Sequence, residues 1–239
     1  MKKGAQPRGR RVPFVGFELD ARRAVRLRTA EALQTGRTPL TLIAVAEDAA
    51  QLTEELTRQA IRADPPQPSA CREGCDWCCH LTVGTSAPEV ARIVQYLSEM
   101  LSPQELAAFR ERVIRLDEER RKLPVARRDK AGLPCPLLVN HRCTAYAVRP
   151  LTCRGFNSAD AAACERFVKS SSRTELPLNA TQLRLTTFAL DGLAAGLSES
   201  GLKGDRLELT AALRIALEVP DAVERFLAGE PSFAAATLR

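Results

Sequence analysis

Eight cysteines and two histidines carry most of the chemistry open to this 239-residue chain. Four of the cysteines fall in one stretch, CREGCDWCCH, from Cys71 to His80, with the only tryptophan, Trp77, between them. Cys135, Cys143, Cys153 and Cys164 follow, and both histidines, His80 and His141, lie within two residues of a cysteine. A hydrophobic core needs no such clustering, because a buried cysteine packs simply as a small apolar residue. Thiolates held close together bind soft metals or exchange electrons, so the pattern points to a metal or redox centre.

The spacing narrows the choice. On a helical turn, residues i, i+4 and i+7 share one stripe, and Cys71, Cys75 and Cys78 are so placed. Cys79 follows Cys78 directly, and adjacent side chains are expected to point apart. A centre is therefore expected to take three ligands from this segment and one from downstream, leaving the odd cysteine for a second site or for packing. Zinc sites usually draw on two close pairs, and only the first segment supplies one. Iron–sulfur clusters accept three clustered cysteines with a remote fourth, so an iron–sulfur cluster is preferred to zinc. The expected core set is Cys75, Cys78, Cys79 and Cys153, with Cys71, Cys135, Cys143 and Cys164 completing it or forming a second centre.

The residues around these thiols have plainer roles. Arg149 and Arg154 are candidates to donate hydrogen bonds to the sulfurs and offset their charge, or equally to pair with carboxylates. His80 and His141 are candidate ligands or outer donors. Trp77 is expected to screen the centre, Tyr146 to anchor in the core, and Pro150 to stiffen the approach to Cys153.

Three motifs in order, Cys71-x3-Cys75-x2-Cys78-Cys79, Cys135-Pro136-Leu137-Leu138 and Cys143-x2-Tyr146-x2-Arg149-Pro150-x2-Cys153-Arg154, resemble the YkgJ-type CxxCxxCC cysteine-cluster family. The resemblance covers about residues 70–165 and implies a domain that chelates zinc or iron. The first spacing is three residues where that family has two, which makes Cys71 the ligand that departs from the pattern. Flagellin lysine N-methylases are similar to the family in the cysteine cluster, but nothing else in the chain suggests their substrate pocket. The same first segment fits a radical S-adenosylmethionine signature. That reading needs alternating strands and helices, and the downstream sequence offers helical stripes instead.

Other catalytic constellations are missing from the sequence. Two histidines leave little room for a Ser-His-Asp triad, and no phosphate loop or dinucleotide fingerprint occurs; GLKGDR at 201–206 lacks the spacing. Three roles remain: a module that stores, delivers or senses metal or redox state; a cluster-dependent enzyme; or a zinc-braced interaction module.

The elements that must position the thiols are mainly helical, as the low aromatic content and the wealth of Ala, Leu and Arg suggest. The expected helices run over 18–33, from the Thr38 cap to about 60, from the Ser86 capping box to 100, and from the Ser102 box past 116. Ser158 is expected to cap a helix to 167, Asn179 one to 197, and two more span 205–218 and 220–228. ADPPQPSA at 63–70 breaks the chain, residues 81–85 are expected to be extended, and 124–155 to hold loops and a small hairpin. These features suggest a basic N-terminal arm with helices at 1–66, a cysteine-cluster domain at 67–175, and C-terminal helices at 176–239.

Charge is concentrated at the start, with ten basic against three acidic residues up to position 37. A solvated face or tail is the simpler explanation, and an acidic partner the alternative. No aromatic residue lies among Arg22, Arg23, Arg26, Arg28 and Arg37 to stack on bases, which weighs against nucleic acid. Without a signal-peptide or membrane-spanning run, a cytoplasmic location is expected, where eight cysteines stay reduced and act as ligands.

Overall fold

The computed structural model describes residues 16–128, 131–170 and 176–238; the first fifteen residues of the basic arm and the expected domain border at 175 lie outside them. The fold is mainly α. Helix α1 (Gly16–Thr35) leads into α2 (Pro39–Ala63), which starts where the Thr38 hydroxyl accepts from the Thr41 amide. Both serine capping boxes form, opening α3 (Ala87–Met100) and α4 (Pro103–Arg121). The short α5 (Val125–Arg128) and α6 (Leu151–Gly155) flank the middle cysteines. Then come α7 (Ala161–Lys169), α8 (Ala180–Glu199, capped by Asn179), α9 (Leu209–Glu218) and α10 (Ala222–Leu227).

Two starts differ from expectation. Asp160, not Ser158, caps α7, its carboxylate accepting from the Ala163 amide at 3.0 Å, while the Ser158 hydroxyl bonds the Asp160 amide and carbonyl. The helix expected from 205 begins at Leu209, because Leu207 and Glu208 pair as a strand. That strand, β4 (Leu207–Glu208), runs antiparallel to β1 (Gly84–Thr85), with Gly84 opposite Glu208. The expected small hairpin is β2 (Leu138–Val139) with β3 (Arg142–Cys143), Leu138 facing Cys143. Its two-residue turn puts Asn140 at φ 49° and His141 at φ 61°, the left-handed geometry that matches strand twist in a tight hairpin.

One hydrophobic core gathers residues from α1 to the C-terminal helices, with Phe109, Leu33, Leu42, Ile93, Leu151, Leu193 and Leu213 fully buried. Missing side chains set the closest helix contacts. A Cβ on Gly196 would stand 2.6 Å from Thr29 Cβ, and one on Gly192 would collide with the Arg22 carbonyl, so α8 lies directly against α1. A Cβ on Gly155 would strike the Thr186 hydroxyl, so the end of α6 rests on α8 just after Cys153. Among the described residues no helix is long and apolar enough to cross a membrane.

Candidate metal centre

The cysteine segment is not a helix over its whole length. Residues 71–76 form an open turn, with Gly74 at φ 82° and the Cys75 amide donating to the Arg72 carbonyl at 3.0 Å. One 3₁₀ turn, Trp77–His80, follows. Cys78 and Cys79 stand consecutively in this tight turn, and each thiol acts on the acidity of the other. That interaction splits their acidities. Cys78 is brought down to about 7, first by the hydrogen bond with Cys79 and further by the charge of Arg149. Cys79 is raised by that same bond, by burial, and by the charges of Cys78, Cys135 and Cys153.

Backbone pairing delivers the other thiols. The Cys135 amide donates to the Cys79 carbonyl at 2.7 Å, tying the second motif to the first. The Leu138 amide closes a turn on the Cys135 carbonyl, and the hairpin then carries Cys143 back alongside. Pro150 caps α6, which presents Cys153. Burial pushes Cys135 up to about 12, and it also raises Cys143 and, more strongly, Cys153. Cys135, Cys78 and Cys143 each add charge against Cys153, so these thiols share one neighbourhood.

Cys71 and Cys164 meet elsewhere. The buried Ser158 donates its amide to Cys71 Sγ at 3.4 Å, and the Cys71 thiol faces the Ser158 carbonyl at 3.9 Å. Cys164, buried on α7, is raised by burial, eased by a hydrogen bond with Ser158, and raised again by the charges of Cys71, Cys75 and Cys78. The sequence gives no sign that Ser158 links them, since serine before a helix suggests a cap.

Of the two arginines, Arg149 faces the thiols. Its charge lowers both Cys78 and Cys143, and its guanidinium stacks 3.9 Å from the Tyr146 ring centre with Nε buried and without a hydrogen-bond partner. Tyr146 itself is 65% exposed, so it is the platform for Arg149 and not a core anchor. Arg154 spends its donors on the Arg149 carbonyl at 2.9 Å, the Ala147 carbonyl at 2.7 Å and the Glu54 carboxylate.

Two carboxylates organise the surroundings, and of these Asp76 was missed by sequence reasoning. Asp76, almost buried, accepts from His141 Nδ1 at 2.9 Å and stands 3.7 Å from His80 Nε2, so it ties the hairpin turn to the first motif. His80 Nδ1 pairs with the Gly132 carbonyl at 2.9 Å. Glu89, buried in the Ser86 capping box, also accepts from the Leu151 amide at 2.7 Å, joining the starts of α3 and α6. The capping box was visible in the sequence; its second acceptor oxygen was not. Trp77 lies beneath Lys169 of α7, the ammonium 5.1 Å from its ring centre.

All eight cysteines are free thiols in this structure. Among the described residues no three His, Cys, Asp or Glu side chains stand ready around one ion, so the thiols are grouped but must draw together to bind. The donor chemistry fits a soft metal: several thiols, mostly shielded from water, beside an arginine without a carboxylate partner.

The fold and this thiol set define a mainly helical protein with a cysteine-rich chelating segment. Residues 70–175 match the family model CxxCxxCC, described as a "putative zinc- or iron-chelating domain". No curated protein and no solved structure matches the chain.

Proposed function

We propose that this protein holds an iron–sulfur cluster on its clustered cysteines, with zinc as the alternative metal, and acts as a module that stores or senses metal or redox state. The carrying observation is the pressing together of Cys78, Cys79, Cys135, Cys143 and Cys153, from four separate pieces of chain, beside Arg149. Buried thiols that raise one another's pKa make a metal-free centre reluctant to ionise, and a bound cation reverses that by stabilising the thiolates. Thiolates favour zinc and iron–sulfur clusters over hard cations. One close pair, Cys78 and Cys79, with the other thiols each from a remote piece of chain supports the cluster over zinc, which prefers two close pairs. The cytoplasm, where such thiols stay reduced, is the compartment that suits this reading.

Anaerobic purification followed by visible absorption, iron, sulfide and zinc analysis tests it. Brown protein containing iron and acid-labile sulfide is the expected result. Colourless protein with stoichiometric zinc replaces the cluster by zinc, and protein that neither retains nor takes up metal ends the reading.

A further inference from the structure

A cleft of about 170 Å³ opens between α2, α8 and the chain that carries Arg149 and Arg154. Three arginines line it, Arg58, Arg149 and Arg154, against one carboxylate, Glu54. Two of these cations already have acidic partners. Arg58 meets Glu55 at 2.5 Å, and Arg154 pairs with Glu54 while its other donors take the Arg149 and Ala147 carbonyls. Arg149 has no carboxylate among the described residues. Its guanidinium stacks on the Tyr146 ring, and its Nε is buried without a hydrogen-bond partner. The wall is thus short of one negative charge, and the deficit lies at Arg149. A guanidinium cannot shed its proton to relieve it.

The hydroxyls of the cleft point the same way. Thr53 spends its hydrogen on the Ala49 carbonyl at 2.6 Å, and Thr186 on the Gln182 and Leu183 carbonyls at 3.0 Å. Thr57, also buried, has a hydroxyl that no other group takes among the described residues. An unmatched cation and an uncommitted hydroxyl therefore line one small space.

We propose that this cleft binds a small oxyanion, a carboxylate or a phosphate, with Arg149 as its charge partner and Thr57 as a second hydrogen-bond donor. The planar guanidinium fork matches the paired oxygens of either group. Sites for drug-sized molecules hold roughly 300–1,000 Å³, so the occupant here is a single acidic group or little more. The site does not depend on a bound metal, since Thr57 stands on α2, outside the cysteine motifs.

Isothermal titration calorimetry of the full chain tests the site, with inorganic phosphate and acetate as probes and chloride holding the ionic strength constant. Saturable uptake of about one anion per chain is expected from at least one probe. Saturation by phosphate alone assigns a phosphate-bearing ligand, and by acetate alone a carboxylate. Arg149→Gln is expected to weaken binding by at least about tenfold, and Thr57→Val by about two- to tenfold, with helical circular dichroism unchanged. Thr57→Val decides alone if Arg149→Gln fails to fold. No saturation by either probe, or binding that a folded variant leaves unchanged, would overturn the site. Iron or zinc retained in that same protein would leave the metal-binding reading standing.

Discussion

The Cys135 amide and the Cys79 carbonyl meet at 2.7 Å across 56 positions of sequence. That bond brings the second cysteine motif against the first without using either side chain, so both thiols stay available to a ligand. It also places a thiol pushed up to about 12 beside one raised by its hydrogen-bonded neighbour.

Metal loading is therefore expected to release protons and to tighten with rising pH. Burial raises Cys135, Cys143 and Cys153 above the ordinary thiol range, so a metal must displace their protons, while Cys78 is lowered by its neighbour Cys79. Each proton displaced steepens the dependence by about a factor of ten per pH unit. Zinc affinity measured against a competing chelator between pH 6 and 8 should rise steeply; a flat profile contradicts buried neutral thiols. The sign for the metal-free fold is opposite. A folded thiol pKa above the ordinary 9.0 means the unfolded chain ionises first, so stability declines as pH rises past 9 and keeps falling until about 12. Denaturant midpoints of the apo-protein across that window check this.

Glu89 fastens the helix that carries Cys153. One carboxylate oxygen serves the Ser86 amide and hydroxyl and the other the Leu151 amide, all in a buried setting. Glu89→Ala leaves buried donors unpaired and is expected to cost about 2–4 kcal/mol. Glu89→Gln keeps one oxygen for Leu151 and should cost less. Denaturant unfolding of both variants checks the order, and equal losses would mean that the Leu151 bond contributes little.

The glycines of α8 make a sharper stability test. Gly196→Leu must displace Thr29 and the Arg26 carbonyl, and is expected to destabilise by at least about 3 kcal/mol. Gly155→Val forces α6 away from Thr186, which should weaken metal retention as well as stability because Cys153 lies two residues earlier. A fall in melting temperature with unchanged metal content in the Gly155 variant would show that Cys153 tolerates the shift.

How legible these features were depended on the range of the interaction. Thr38, Ser86, Ser102 and Asn179 announce their helices because a cap is a contact over three residues. The turn-rich stretch from 124 to 155 and its hairpin were legible for the same reason. Ser158 was misread as the cap because its hydroxyl bonds the Asp160 amide and carbonyl two residues on, and the Asp160 carboxylate takes the capping role; that its backbone also meets Cys71, 87 residues away, is a contact no local pattern carries. The Leu207–Glu208 strand was missed because two residues carry no period, and only β1 makes them a strand. Tyr146 reads as core by type, yet its ring is kept outside under Arg149. The cysteine spacing pointed to a chelating centre, but the mutual influence of Cys78 and Cys79 follows from a 3₁₀ turn that spacing alone does not specify.

Arg149 gives the last test. It lowers Cys78 and Cys143 through its charge, and no carboxylate neutralises it within the described residues. A centre of four thiolates around a divalent ion carries net negative charge, so a fixed cation beside it favours the loaded state. Arg149→Gln is expected to weaken zinc affinity by about tenfold and Arg149→Lys by less, since lysine keeps the charge but not the planar fork. Tyr146→Ala removes only the stacking surface, worth about 0.5–1 kcal/mol at an exposed site, and should change affinity by a few fold at most. Chelator competition at two ionic strengths measures all three. If glutamine and lysine behave alike, Arg149 acts by shape and not by charge, and its influence on the thiols is not what holds the metal.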